Sequence, residues 1–187
     1  MTGGKNGLTP YLHVCTIILL MSALPSAATG DTLSIGRHAS AADIERWNID
    51  VGPDGDGLPA GGGTARQGEK IYTEKCAGCH GPDGQKGRDK LAGPPGDERK
   101  KTIGLKTIGN YWPYATTVFD YIRRAMPPTA PGSLTGDEIY ALTARLLFLN
   151  AIIAVDAEMN AGTLPLVTMP ALDRFVPDDR HGGAEVR

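Results

Sequence analysis

The sequence of 187 residues has few cysteines, few aromatic residues and almost no net charge. Its three cysteines are Cys15, Cys76 and Cys79, so it lacks the second pair that a structural zinc site of four ligands would require. With 19 basic and 21 acidic residues, its formal charge of −2 provides no general attraction to nucleic acid or to an anionic membrane. Glycine and proline are abundant, at 25 and 14 residues, which indicates a globular but loop-rich protein.

The first 28 residues differ in composition from the rest. Lys5 is the only charge before residue 31, the run from Leu8 to Leu24 is mostly apolar, and small residues follow up to Ala28. The densest apolar stretch, Val14 to Met21, is shorter than the ~20 residues that a membrane span needs. The pattern predicts a signal peptide, residues 1–28, whose cleavage removes Cys15 and leaves an exported chain without a membrane anchor. The alternative is a retained transmembrane anchor.

The other two cysteines belong to a compact motif. Residues 76–80 read Cys-Ala-Gly-Cys-His, the C-x-x-C-H signature in which two thiols add across the haem vinyl groups while the imidazole binds iron. Two intervening residues place Cys76 and Cys79 on one helical turn, and His80 follows beneath the metal. The motif predicts one covalent haem c, with His80 as an iron ligand.

Other functions are known for a C-x-x-C pair. A zinc site would need two further ligands at matching spacing, and a thioredoxin-like thiol pair would need a βαβ context that the sequence does not provide. A plain disulfide between Cys76 and Cys79, without haem, remains as a structural alternative.

Helix signals surround the motif. A capping box at Thr64 and Gln67 predicts a helix that starts near Ala65 and runs into the motif with Ile71 and Tyr72 on its core face.

Two further helices are predicted downstream. A capping box at Thr135 and Glu138 opens the strongest helix, which ends near Asn150 or one turn later. Another helix, about residues 115–124, would place Val118, Tyr121 and Ile122 on one side.

With these helices, residues 61–155 resemble the class I cytochromes c. The resemblance implies a mainly α fold, a class I cytochrome c fold, in which small Gly68 lets the first and last helices cross closely. We therefore expect a haem domain over residues 61–155, an N-terminal arm over 29–60 and a C-terminal arm over 156–187.

A sixth ligand to the iron must come from a thioether or a second imidazole. The candidates in the mature chain are Met126, Met159, Met169, His38 and His181. The resemblance favours Met126, which precedes two prolines ahead of the last helix, and Met169 is the second choice. Met126 ligation would close the iron to substrates, as a carrier requires, whereas an open distal site would indicate a haem enzyme or a ligand sensor.

Further residues are assigned to haem binding on less specific signals. The resemblance implies that the Pro94 carbonyl accepts a hydrogen bond from the proximal imidazole, although a plain turn explains the local sequence equally well. Tyr111, Trp112 and Arg123 belong to the densest aromatic and basic stretch, with Tyr114 and Arg124, and could pack the ring edge or pair with propionates. Core packing or a solvated surface is the alternative for each.

The two arms are acidic and the predicted haem domain is basic. Residues 31–60 carry 2 basic and 6 acidic side chains, residues 61–155 carry 13 and 9, and residues 156–187 carry 3 and 6. Basic side chains concentrate after the haem motif and could steer an acidic partner to the haem edge, or form a solvated loop. These are Lys86, Arg88, Lys90, Arg99, Lys100, Lys101 and Lys106.

A narrower resemblance covers most of the mature chain. Residues 36–55, the long block 109–127 and the tail around 169–178 resemble the cytochrome subunit of sulfane dehydrogenase, of the bacterial sulfur-oxidising (Sox) thiosulfate pathway, and the haem subunit of periplasmic sulfite dehydrogenase. A single C-x-x-C-H matches the shorter, monohaem version. The resemblance implies a periplasmic electron-transfer subunit that performs no bond chemistry itself.

The resemblance also implies partners. A molybdenum-cofactor subunit of the sulfite oxidase type would oxidise the sulfur compound, and a downstream cytochrome would accept the electrons. The two arms would be docking elements, and no nucleic-acid or membrane partner is expected. The alternative is a free-standing soluble cytochrome c that shuttles electrons in transient encounters.

Overall fold

The structure, a computed structural model, describes residues 36–87, 89–93 and 106–176. Its helices and strands in chain order are α1 Ala41–Trp47, β1 Gly62–Thr64, α2 Ala65–Lys75, α3 Ala77–His80, α4 Ile108–Tyr111, α5 Ala115–Ala125, α6 Gly136–Leu149 and β2 Glu158–Asn160. Two short 3-10 turns follow, Leu164–Leu166 and Leu172–Arg174. The mainly helical fold predicted from the sequence is confirmed.

The chain divides into two compact units, Met1–Ile44 and Glu45–Arg187. In the described part of the first unit, Arg37 forms an ion pair of 2.6 Å with Asp43. The Ser40 hydroxyl accepts a hydrogen bond from the Asp43 amide at 3.2 Å, and so caps the start of α1.

Both predicted capping boxes form in the second unit. The Thr64 hydroxyl accepts from the Gln67 amide, while the Gln67 side chain accepts from the Thr64 amide at 2.8 Å. The same reciprocal pair joins Thr135 and Glu138, with 2.9 Å from the Thr135 amide to the carboxylate. Because each box satisfies two amides that a helix start leaves unpaired, α2 begins at Ala65 and α6 at Gly136, as predicted.

Helices α2 and α6 cross at very short range. A Cβ atom on Gly68 would overlap the carbonyl of Ala141, and one on Gly63 would lie 2.7 Å from the Ala141 Cβ. Only glycine permits this approach, so the close crossing predicted at Gly68 is present.

Helix α5 places Val118, Tyr121 and Ile122 on one side, as predicted, since all three line the same cavity. Val118 and Ile122 are buried, but Tyr121 is 49% exposed and stands at the border of the core. On α2, Tyr72 is fully buried while Ile71 is half-buried. Phe119 of α5 packs on Tyr140 of α6 with ring centroids 4.5 Å apart.

The tail after α6 packs onto the helices, as expected for a segment without its own core. Strand β2 pairs antiparallel with β1, with Gly63 opposite Met159. Met159, Leu164 and Met169 are at most 5% exposed and join the hydrophobic core. This two-stranded ladder has no strong sequence signal, because each strand has only three residues.

Within the described ranges, no helix is sufficiently long and apolar to cross a membrane.

Candidate haem site

The C-x-x-C-H motif lies on a single helical turn that follows α2. Helix α2 ends at Lys75, Cys76 joins it to α3, and the Cys76 carbonyl accepts from the amides of Cys79 at 3.1 Å and His80 at 3.0 Å. Both cysteines are free thiols, with Cys76 half-buried and Cys79 exposed. The turn therefore presents two thiols and one imidazole together.

These side chains open onto one cavity of about 570 Å³. Cys76, Cys79 and His80 line it together with Met126, which follows α5. The remaining walls are mostly apolar and come from α4, α5, α6 and the loops between them: Leu91, Ile108, Trp112, Val118, Ile122, Leu134, Leu142 and Leu146. The volume and the apolar lining of this cavity are typical of a binding site for an organic cofactor.

Met126 reaches the cavity because α5 stops just before it. The residue has extended backbone angles, φ −119° and ψ 143°, as expected for a residue that precedes proline. The other methionine candidates, Met159 and Met169, are buried in the core and do not line the cavity. His38 belongs to the N-terminal unit, and His181 lies outside the described residues.

The His80 ring is oriented by a backbone carbonyl. Its Nδ1 lies 3.1 Å from the carbonyl oxygen of Asp89. Since a carbonyl only accepts, Nδ1 carries the proton and the lone pair of Nε2 is free to bind a metal. Pro94, which the sequence analysis assigned to this role, lies outside the described residues.

Tyr72 of α2 holds the chain directly after the C-x-x-C-H motif. Its hydroxyl donates to the carbonyl of Gly81 at 2.9 Å, and burial raises the pKa of this phenol to about 12. Burial likewise raises the pKa of the Cys76 thiol to about 11, so this sulfur is protonated at neutral pH. The sequence predicts Tyr72 on the core face of α2, but it does not predict the hydrogen bond to Gly81, the residue directly after the motif.

Of the aromatic and basic residues assigned to haem binding, some line the cavity and others do not. Tyr111 and Trp112 line the cavity, and Trp112 meets Tyr121 edge-on with centroids 5.6 Å apart. Arg123 does not line it and instead donates to the Ile49 carbonyl at 3.2 Å.

Arg123 lies away from the cavity face for a geometric reason, and its assignment to haem binding stays a prediction. Val118, Tyr121 and Ile122 line the cavity, whereas Arg123, five residues after Val118, lies about 140° around the helix from it. Arg124 forms ion pairs with Asp120 at 2.9 Å and with Asp50 at 2.5 Å. Tyr114 forms an isolated β-bridge with Thr168.

Lysines supply the positive charge at the cavity. Lys75, Lys90 and Lys106 all line it. Lys75 pairs with Glu138 at 2.7 Å, and the Lys106 ammonium lies 4.2 Å from the centre of the Tyr111 ring. Lys90 and Lys106 come from the basic cluster that the sequence analysis assigned to partner steering, of which Arg88, Arg99, Lys100 and Lys101 lie outside the described residues.

Asn150 is a functional residue that sequence reasoning missed. Its side-chain amide donates to the Leu91 carbonyl at 3.0 Å and its side-chain oxygen accepts from the Gly109 amide at 3.1 Å. This buried side chain ties the loop after the haem motif to α4 and to the end of α6. An asparagine directly after the last apolar residue of a helix was the available signal.

The donor set fits haem c. Two free thiols at C-x-x-C spacing, an imidazole with its Nε2 available and a thioether line one apolar cavity, which are the groups that attach and ligate this cofactor. Among the described residues, no three His, Cys, Asp or Glu side chains gather as a metal-binding group.

The similarity of this chain to known proteins is consistent with a haem site. Residues 63–144 match the family described as cytochrome C oxidase, cbb3-type, subunit III. A chain of the crystal structure of the sulfane dehydrogenase SoxCD from Paracoccus pantotrophus is 38% identical, with a TM-score of 0.68. The match covers 79% of this chain and 73% of that one. This chain belongs to the cytochrome c family.

The comparison with curated protein sequences finds no match. Membership of the cytochrome c family identifies the cofactor as haem c and the role as electron transfer rather than bond chemistry. The similarity to the sulfane dehydrogenase chain extends beyond the cytochrome domain, because it covers more of this chain than residues 63–144 do.

Proposed function

We propose that this cytochrome is the periplasmic haem subunit of a molybdenum-containing dehydrogenase for sulfur compounds. It would carry one covalent haem, accept electrons from the oxidation of sulfane sulfur or sulfite on its partner, and pass them to a downstream cytochrome. The observation that carries the proposal is a cavity lined by all four side chains predicted to bind haem, in a chain 38% identical to one of a sulfane dehydrogenase.

The chain's own residues have separate roles in this proposal. Cys76 and Cys79 would hold the cofactor by adding their S–H groups across its two vinyl groups. His80 and Met126, which both line the cavity, would bind the iron. When bound, haem c supplies a metal that changes its charge by one electron without making or breaking substrate bonds.

Neighbouring groups in the cavity support those roles. The Asp89 carbonyl holds the His80 tautomer that leaves Nε2 for the metal, at 3.1 Å from Nδ1. Thioether ligation by Met126 raises the potential and occupies the position that a substrate would need. The apolar walls exclude water, so little reorganisation accompanies each transfer.

The partner is argued from the relative and from the arms. A dehydrogenase withdraws electrons from its substrate, and a cytochrome chain in such an enzyme is the natural acceptor. The segment 156–176 packs onto the haem domain through buried Met159, Leu164 and Met169, so we assign docking of the partner to this ordered arm.

The decisive experiment isolates the native complex. Affinity purification from the periplasm, followed by metal and pterin analysis, is expected to recover molybdenum in stoichiometric amount. Recovery of the cytochrome alone, with full turnover in transient encounters, would instead support the free-standing electron shuttle.

Mass spectrometry tests the maturation separately. The exported product should have the mass of residues 29–187 plus one haem. A bare chain mass would contradict the proposal of covalent attachment, and retention of residues 1–28 would contradict the predicted cleavage.

A further inference from the structure

The C-terminal turn Leu172–Arg174 contacts the outer side of α4. The Arg174 guanidinium donates to the Asn110 carbonyl at 2.9 Å. Phe175 meets Tyr111 edge-on, with centroids 6.3 Å apart and the rings inclined at 65°. Met169 and Ala171, which precede the turn, are 2% and 0% exposed and anchor it to the core.

Helix α4 needs these contacts because it has only four residues. One helical turn fixes more backbone freedom than its own hydrogen bonds repay, so its position depends on tertiary contacts. Asn150 holds α4 through the Gly109 amide at 3.1 Å, and the C-terminal turn holds it through Asn110 and Tyr111.

The residues held by this turn form part of the cavity wall. Tyr111 and Lys106 line the cavity, and the Lys106 ammonium lies over the Tyr111 ring. Arg174 and Phe175 do not line it. Phe175 carries no charge, so it can influence the cavity only through the side chains that it positions, whereas the charge of Arg174 also acts directly.

We infer that Arg174 and Phe175 are positioning residues which hold Tyr111 and Lys106 at the haem cavity and thereby raise the midpoint potential. A positive charge at the haem cavity favours the reduced state, because that state carries one positive charge less. The inference deepens the electron-transfer role and rests on the covalent haem of the proposed function.

The experiment measures the midpoint potential of the full-length mature holoprotein by spectroelectrochemical titration. Phe175→Ala and Arg174→Ala are expected to lower the potential, whereas Phe175→Tyr, which keeps the ring, should retain the wild-type value. Thr73→Ala is the control, since Thr73 is an exposed, uncharged residue of α2 that does not line the cavity and belongs to neither arm. Urea unfolding of each variant separates a change in potential from a loss of global stability.

A double-mutant cycle with Lys106→Gln tests the route of the effect. Lys106→Gln alone should lower the potential, and Phe175→Ala added to it should shift the potential by less than Phe175→Ala does in the wild type. An unchanged potential in both alanine variants, or equal shifts with and without Lys106, would overturn the inference. Failure of the proposed function is distinguishable, because it appears in the wild type as a missing haem c spectrum.

Discussion

Gly68 of α2 lies directly against the carbonyl of Ala141 in α6, so that a single Cβ atom on Gly68 would overlap this carbonyl oxygen. The contact fixes how closely the first and last helices of the haem domain cross. It also positions the cavity, because α2 leads into the haem motif and α6 contributes Leu142 and Leu146 to the walls.

Replacing Gly68 by alanine is expected to destabilise the holoprotein by about 1–3 kcal/mol, because the added methyl group must push two helices apart. Urea unfolding measures the effect. Gly162→Ala is the control, since Gly162 lies outside the haem motif and its methyl group would meet only the Asn160 side-chain oxygen, at an ordinary contact distance of 3.4 Å. Gly162→Ala should be neutral or stabilising by up to about 1 kcal/mol. Equal stability of the two variants would contradict the close crossing.

Replacing Met126 by leucine should abolish the sulfur-to-iron charge-transfer band of the oxidised protein and lower the midpoint potential. Leucine keeps the apolar volume, so the fold should be retained. Absorption spectroscopy of the purified holoprotein provides the readout. Met169→Leu is the matched control and should keep the band, because Met169 is buried in the core and does not line the cavity. Loss of the band in Met169→Leu alone would assign the ligand to Met169.

The ion pair between Lys75 and Glu138 predicts that the free energy of unfolding depends on pH. Hydrogen bonding to Lys75, followed by the Thr135 amide, lowers the pKa of the Glu138 carboxyl from 4.5. A carboxyl with a lowered folded-state pKa stabilises the fold above its unfolded pKa, and this contribution disappears as the pH falls through the folded value.

Glu138→Gln should therefore destabilise the protein by about 0.5 kcal/mol at pH 7, while glutamine still completes the capping box. The difference from the wild type should shrink at a second, acidic pH, because the carboxyl becomes protonated as the pH falls through its lowered folded-state pKa. Urea unfolding at both pH values measures it, with Glu74→Gln as an exposed control on α2. A difference that persists unchanged in acid would show that the ion pair is not its source.

Replacing Asn150 by alanine should cost about 1–3 kcal/mol, because it leaves the buried Gly109 amide without this partner, whereas the Leu91 carbonyl keeps its hydrogen bond from the Ile108 amide. Amide hydrogen exchange should quicken at Gly109 in particular, since α4 loses one of its attachments. The exposed Asn48 offers the control substitution, Asn48→Ala, which should leave both measurements near wild type. An unchanged amide exchange rate at Gly109 in Asn150→Ala would contradict the view that the Asn150 side chain holds α4 in place.

Much of the fold could be predicted because its signals are local. The capping boxes at Thr64 and Thr135 fix two helix starts within four residues of chain, and the C-x-x-C-H spacing fixes the haem motif within five. The partial exposure of Tyr121, the hydrogen bond of Arg123 to Ile49 and the hydrogen bonds of Asn150 could not be predicted in the same way. Each depends on which neighbours α5 or α6 meets, and a helical pattern identifies a face without naming what lies opposite it.

The sequence by itself determined the chemistry of this protein: two thiols and an imidazole on one helical turn, and the helices that flank them. These are short-range properties, set by hydrogen bonds and side-chain spacing within a few residues. Only the tertiary structure decided that Met126 shares the cavity while Met159 and Met169 enter the core, and that Lys106 and Tyr111 form its wall. Those outcomes depend on the packing of segments distant in sequence, where burial of apolar surface selects one arrangement without leaving a local pattern.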